Sequence, residues 1–115
     1  MSVPVDLEAL RAVAEQRGPL AYLITVGGTG PHVVSARVAW DGDRLVTGAG
    51  RTTTANVAAQ PRVTLLWPAG PDDEHSLLVD GDAEVADGRL ALQPDKAILH
   101  RRAGDDDGPR CEPVA

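Results

Sequence analysis

The sequence predicts a mainly β protein of barrel or sandwich type. Three observations carry that expectation. About six short apolar runs have the length and β-branched content of strands. Most are separated by tight Gly- and Asp-containing turns. The two segments with helical spacing, one leading and one in mid-chain, are too few for a helical bundle or a doubly wound sheet.

Taken in order, Asp6 is placed to cap a first helix. Leu7, Leu10, Val13 and Ala14 fall on one helical face, with Glu8, Arg11 and Glu15 outside. Gly18-Pro19 ends that helix. "LAYLITV" at 20–26 reads as a buried strand, and "GGTGP" as a turn. "HVVSARVAW" at 32–40 is a second strand. Val34, Ala36, Val38 and Trp40 share one face, while Ser35 and Arg37 share the other with Val33 and Ala39. One face therefore belongs to a core, and the other is partly polar.

"DGD" at 41–43 is a hairpin signal, and "RLVTG" follows as a strand. A short helix is expected around Thr53 to Ala59, then a strand in "RVTLLW" that Pro68 ends. "HSLLVDGDAEVA" at 75–86 is a long strand, with Gly81 where a bulge is expected. Asp87-Gly88 turns the chain into "RLALQ" and "KAILH", separated at Pro94. From Gly104 no apolar pattern remains, so residues 1–103 are expected to form one domain and 104–115 an acidic, disordered tail.

The chain has 115 residues and a formal net charge of −6, half of it from the tail. An acidic chain without a basic stripe argues against nucleic-acid binding. The single cysteine, Cys111, excludes an intrachain disulfide framework and suggests an intracellular, cytoplasmic protein. No signal peptide and no membrane span are expected. Phenylalanine is absent, so the core must be aliphatic.

The stretch that carries chemistry is "GAGRTTTAN", 48–56. Glycines such as Gly50 let the backbone approach a ligand closely. Threonine hydroxyls and the first amides of a helix are anion donors, helped by the helix dipole. Arg51 offers a planar fork suited to phosphate. Together these residues could form a phosphate cradle. They also suit a plain helix start, with Thr52 or Thr53 as cap and Arg51 in solvent, and the local chemistry leaves both open. Neither the Walker A lysine nor the third glycine of a dinucleotide fingerprint is present.

The ordered set adds a further argument. "LAYLITVGGTGPHVVSARVAWDGDRLVTGAGRTTTANVAAQPRVTLLW" followed by "LLVDGDAEV" resembles the split β-barrel flavin-binding family related to pyridoxamine 5′-phosphate oxidase. It is also similar to that family's actinobacterial branch, the flavin/deazaflavin (F420) oxidoreductases. The likeness covers roughly residues 18–102. It implies a split β-barrel with peripheral helices, and a homodimer with a cofactor in the groove between two copies. The implied cofactor is FMN or, alternatively, F420, passing hydride to a small-molecule substrate. In the family an Arg at the strand-to-helix turn, usually followed by Lys, holds the cofactor phosphate. Arg51 matches the Arg, and Thr52 stands where the Lys would be. Basic positions of the second strand fall at Ser35 and Trp40, while Arg37 shares the face of Ser35. The resemblance thus implies a site of Ser35, Arg37, Gly50, Arg51, Thr52, Thr53, Thr54 and Asn56. The oxidase's closing C-terminal Trp/Arg segment has no counterpart in "GDDDGPRCEPVA", so pyridoxamine-phosphate oxidation is not expected. A non-catalytic flavin, haem or F420 carrier and a cofactor-free relative are the alternatives.

Elsewhere the chemistry is sparse. His32, His75 and His100 lack metal-ligand spacing and read as ordinary strand-end or surface histidines. Trp40 and Trp67 read as core residues. No catalytic side-chain triad is recognisable.

Overall fold

Eight strands and two helices follow in the order β1 (Ser2–Pro4), α1 (Leu7–Arg17), β2 (Leu20–Gly27), β3 (Gly30–Arg37), β4 (Ala39–Asp41), β5 (Arg44–Gly48), α2 (Arg51–Ala59), β6 (Arg62–Trp67), β7 (His75–Ala86) and β8 (Arg89–Arg101). The computed structural model describes residues 2–71 and 74–101. The expected tail, its boundary after residue 103 and Cys111 lie outside the described residues.

All strands join one antiparallel sheet in the order β3-β2-β6-β7-β8-β5-β4, with β1 added on β8. The sheet curls until its ends meet. Thr47 of β5, near one end, donates its hydroxyl to the Arg37 carbonyl of β3, at the other end, at 2.8 Å. The fold is mainly β and barrel-like, as the strand pattern predicts, and it is the split barrel that the resemblance implies.

Alternation along the strands fills the interior. Leu23, Val63, Leu65, Leu77, Val79, Leu45, Leu90 and Leu92 are almost wholly buried. Leu10 and Ala14 of α1 and Val57 of α2 join the same cluster. Burial of each such side chain contributes roughly 1.5–3 kcal/mol. Trp67 is buried as expected, and its indole N–H donates to the Gly18 carbonyl at 3.0 Å. Trp40 is only partly buried, with Arg11 stacked 5.6 Å from its ring centroid.

The turns follow their residues. Asp87 and Gly88 both have positive φ, 54° and 74°, as a two-residue hairpin of the twisted sheet requires. At Gly81 the expected bulge is present. The β7–β8 register shifts between Asp80, paired with Lys96, and Gly81, paired with Pro94, so that Asp95 is the extra residue. Pro94 has no amide to give to a ladder, which suits it to this break.

Five local readings need correction. The run 32–40 is two strands, because after Val38, whose amide bonds the Pro19 carbonyl, the chain passes from β3 at one end of the sheet to β4 at the other. "RLALQ" and "KAILH" are one strand, the bulge absorbing Pro94 without breaking the pairing. A short strand, β1, precedes α1. The N-cap residue of α1 is Asp6, but its side chain makes no capping bond. Finally, β2 is not buried throughout: Leu20, Tyr22 and Val26 are exposed, because the sheet has no second layer over that face.

Candidate functional site

Strand β5 delivers the chain to the site. At its end the Ala49 amide bonds to the Gly88 carbonyl at 2.9 Å, which fixes the start of the turn. Helix α2 then begins at Arg51, two residues earlier than the apolar pattern suggests, with Gly50 as the N-cap residue. Neither Thr52 nor Thr53 caps it. Gly50 has no side chain to offer, and no side-chain cap bond forms. The Thr54 amide reaches the Gly50 carbonyl at 3.0 Å. The amides of Arg51, Thr52 and Thr53 precede it and have no carbonyl within the helix to bind.

The side chains of the stretch divide by helical geometry. Thr53, Asn56 and Val57 share the face turned to the barrel and are buried. Arg51, Thr52 and Thr54 are exposed. Thr54 donates its hydroxyl back to the Gly50 carbonyl at 2.7 Å, a common use of threonine in a first helical turn. Asn56 donates from Nδ2 to the buried Thr25 hydroxyl oxygen at 3.0 Å. Arg51, Thr52 and the first-turn amides therefore form the outward part of the candidate set.

Ser35 and Arg37 are exposed on the outer face of β3, opposite Tyr22 and Leu20 of β2. The Thr47–Arg37 bond ties their strand to the one that runs into α2. Thr47 and Arg51 are four residues apart, so their Cα atoms are separated by at most about 14 Å. The guanidiniums share one further property. Eight arginines lie among the described residues. Arg11, Arg44, Arg62, Arg89 and Arg101 pair with Glu15, Glu84, Asp95, Asp41 and Glu74, and Arg17 donates to the His75 carbonyl. Among the described residues, the Arg37 and Arg51 side chains have neither an ion pair nor a hydrogen bond. Unpaired guanidiniums and uncapped helix amides are the donors a phosphate group uses, so the residues present fit such a group.

Sequence reading missed the surface beside this set. Leu20, Tyr22, Val26 and Val33 are 60%, 44%, 45% and 55% exposed. The β2–β3 register pairs Leu20 with Arg37, Tyr22 with Ser35, Ile24 with Val33 and Val26 with Pro31, so they form one outer face. The available signal was in "LAYLITV", whose alternate positions are apolar on both faces, as expected of a strand covered on both sides.

A cleft of about 560 Å³ opens on the far side of Leu20, lined by Val13, Arg17, Leu20, Trp67, His75 and Leu99 among others. Of the predicted site residues none borders it. No group of His, Cys, Asp and Glu suited to holding a metal occurs among the described residues. None of their helices is long and apolar enough to cross a membrane.

Comparison with known proteins follows the same lines. No protein-family model matches the chain. Protein Mb0449c of Mycobacterium bovis is 37% identical over 120 aligned positions, which cover 89% of this chain and 84% of that protein. MT0457 of Mycobacterium tuberculosis gives the same figures. Among solved structures, the FAD-binding protein of Mycobacterium smegmatis superposes with a TM-score of 0.61 at 13% identity, covering 88% of this chain and all of that one. A pyridoxamine 5′-phosphate oxidase candidate from Listeria innocua gives 0.57 at 19%, covering 83% and 92%. An F420 reductase gives 0.51 at 24%, covering 76% and 90%. At these identities the superpositions establish the shared barrel.

Proposed function

Because the chain belongs to the family of the mycobacterial proteins Mb0449c and MT0457, and folds as a split barrel of the pyridoxamine 5′-phosphate oxidase type, we propose that it is a redox protein that binds a flavin nucleotide or deazaflavin F420 between two copies of itself. The observation that carries this reading is the pair Arg37 and Arg51. Six of the eight described arginines are engaged within the chain, and the two without a partner are those beside the β3 face and at the start of α2. FMN is the simplest ligand for the set, with F420 the alternative. The structural neighbours include binders of FAD as well as an F420 reductase.

Arg51, Thr52 and the first-turn amides would hold the phosphate of the cofactor. Ser35 and Arg37 would border the slot along β3. Bound in its reduced form, such a cofactor would supply hydride chemistry for a small organic acceptor. The apolar face of Leu20, Tyr22, Val26 and Val33 supports pairing of two copies, since an exposed patch of this kind on an uncovered sheet face is stabilised by a partner. This arrangement needs no acid or base from the protein, which also suits the second reading, a cofactor carrier without turnover.

Fluorescence titration of the purified protein with FMN and with F420 tests the proposal. One of them should saturate the wild type, and Arg51→Ala should lose that affinity while keeping its circular dichroism. Equal affinities would remove Arg51 from the site. Consumption of the reduced cofactor with a panel of quinones, enones and tetrapyrroles separates enzyme from carrier.

A further inference from the structure

Helix α2 is poorly equipped to hold its own orientation. It has nine residues, and three consecutive threonines fill its first turn. Short helices are marginal alone, and β-branched residues weaken them further. Gly50 adds no cap. What orients the helix must be its contact with the barrel. Of the three buried side chains on that face, Val57 packs without a directional bond and Thr53 makes no side-chain hydrogen bond with the described residues. Asn56 differs. Its Nδ2 reaches the Thr25 hydroxyl at 3.0 Å, and Thr25 is fully buried on the inner face of β2.

The end of β2 is shaped to receive that amide. A β-carbon placed on Gly27 would come 2.5 Å from Asn56 Oδ1 and 3.0 Å from its Cγ. A side chain at 27 would have to displace the Asn56 amide, and the backbone angles there do not call for glycine. One side of the Asn56 amide is thus hydrogen-bonded to Thr25 and the other lies against the bare backbone of Gly27. Sliding or rotating α2 would break the bond or force the amide onto the strand.

We propose that Asn56 is a positioning residue, which through Thr25 and Gly27 sets the axial rotation of α2 and so the direction in which Arg51 and the first-turn amides face an anionic cofactor group. The inference rests on the phosphate-holding reading above and replaces a direct ligand role for Asn56 with an indirect one. Arg51 lies five residues ahead of Asn56, about 7.5 Å along the helix axis, close enough for a rotation at one to move the other without rearranging the barrel. Its guanidinium sits at the end of a long side chain, so a small rotation displaces the charged group by about 1 Å, enough to loosen a built site.

The test compares phosphorylated cofactors with their phosphate-free cores: FMN against riboflavin, which differ only in the phosphate, and F420 against its deazaflavin core, which also lacks the tail attached through the phosphate. Wild type should prefer the phosphorylated member of one pair. Asn56→Ala should lower that preference about tenfold, with affinity for the phosphate-free member nearly unchanged. Thr25→Val should do the same, Gly27→Ala should do so by displacing the amide, and Thr25→Ser, which keeps the hydroxyl, should retain the preference. If Asn56→Ala does not fold, Thr25→Val and Gly27→Ala give the same readout. Equal losses for both members of a pair, or an unchanged preference in all three disruptive variants, would overturn the positioning role. A wild type that shows no preference in either pair would overturn the phosphate reading itself, together with the role built on it.

Discussion

Asp95, the extra residue of the β8 bulge, meets Arg62 with both carboxylate oxygens, Oδ1 2.8 Å from Nη2 and Oδ2 2.5 Å from Nη1. Arg62 opens β6 directly after α2, so the pair clasps the strand that follows the candidate site to the middle of the long β7–β8 hairpin. The hydrogen bond from Arg62 is the main cause that holds the Asp95 carboxyl below its ordinary range, and Asp95 raises the Arg62 guanidinium in return.

A pH dependence follows. A carboxyl lowered in the folded state adds stability above its unfolded value, and that contribution is lost as pH falls through the folded value. Both groups are exposed, so the effect should be small and weakened by salt. Thermal melts of wild type and Asp95→Asn should differ at neutral pH and converge in acid only as pH falls through the lowered folded value, below the ordinary 3.8. A difference that persists unchanged at low pH would show that the pair contributes nothing through charge.

Gly81→Ala should destabilise the barrel strongly. The new β-carbon would stand 2.0 Å from the Gln93 carbonyl oxygen, and both neighbours are backbone. Overpacking of this kind costs about 1–3 kcal/mol, and here the atoms that must give way are main-chain atoms of the bulge. Urea denaturation followed by tryptophan fluorescence would measure the loss.

Val33→Glu and Tyr22→Asp place charge on the outer face while leaving the interior untouched. The barrel should fold, and the proposed pair of copies should separate. Sedimentation velocity at several concentrations reads the outcome. Variants that remain as associated as wild type would move the interface to another surface.

Thr52→Lys restores the Arg-Lys pair that the resemblance leads one to expect. Thr52 is exposed at the second position of α2, so the lysine has room. Affinity for the phosphorylated cofactor should rise by roughly fivefold at low ionic strength, with the gain declining as salt is added. No gain at any ionic strength would place the phosphate away from this turn.

Much of the fold is legible in the residues themselves. Alternation in "HVVSARVAW" separates Ala36 and Val38 from Ser35 and Arg37, because a strand's period of two is written directly in its residues. Gly81 announces its bulge because no side chain fits there against the Gln93 backbone, and Asp87-Gly88 its turn because few residues adopt positive φ. In the candidate site, the strand-to-helix turn that carries Arg51 was legible from its glycines and threonines, although the helix begins at Arg51 rather than Thr53. Other features depend on which elements meet. No local pattern shows that Thr47 would close the barrel onto Arg37, or that Asn56 would turn inward to Thr25 while Thr52 turned out. Nor does local pattern distinguish a β2 buried on both faces from one whose Leu20 and Tyr22 stand in solvent. Backbone preference and apolar period act between near neighbours and are carried by residue identity. The pairing of strands, the seating of a short helix and the covering of a face are contacts between distant segments, and folding of the whole barrel selects them.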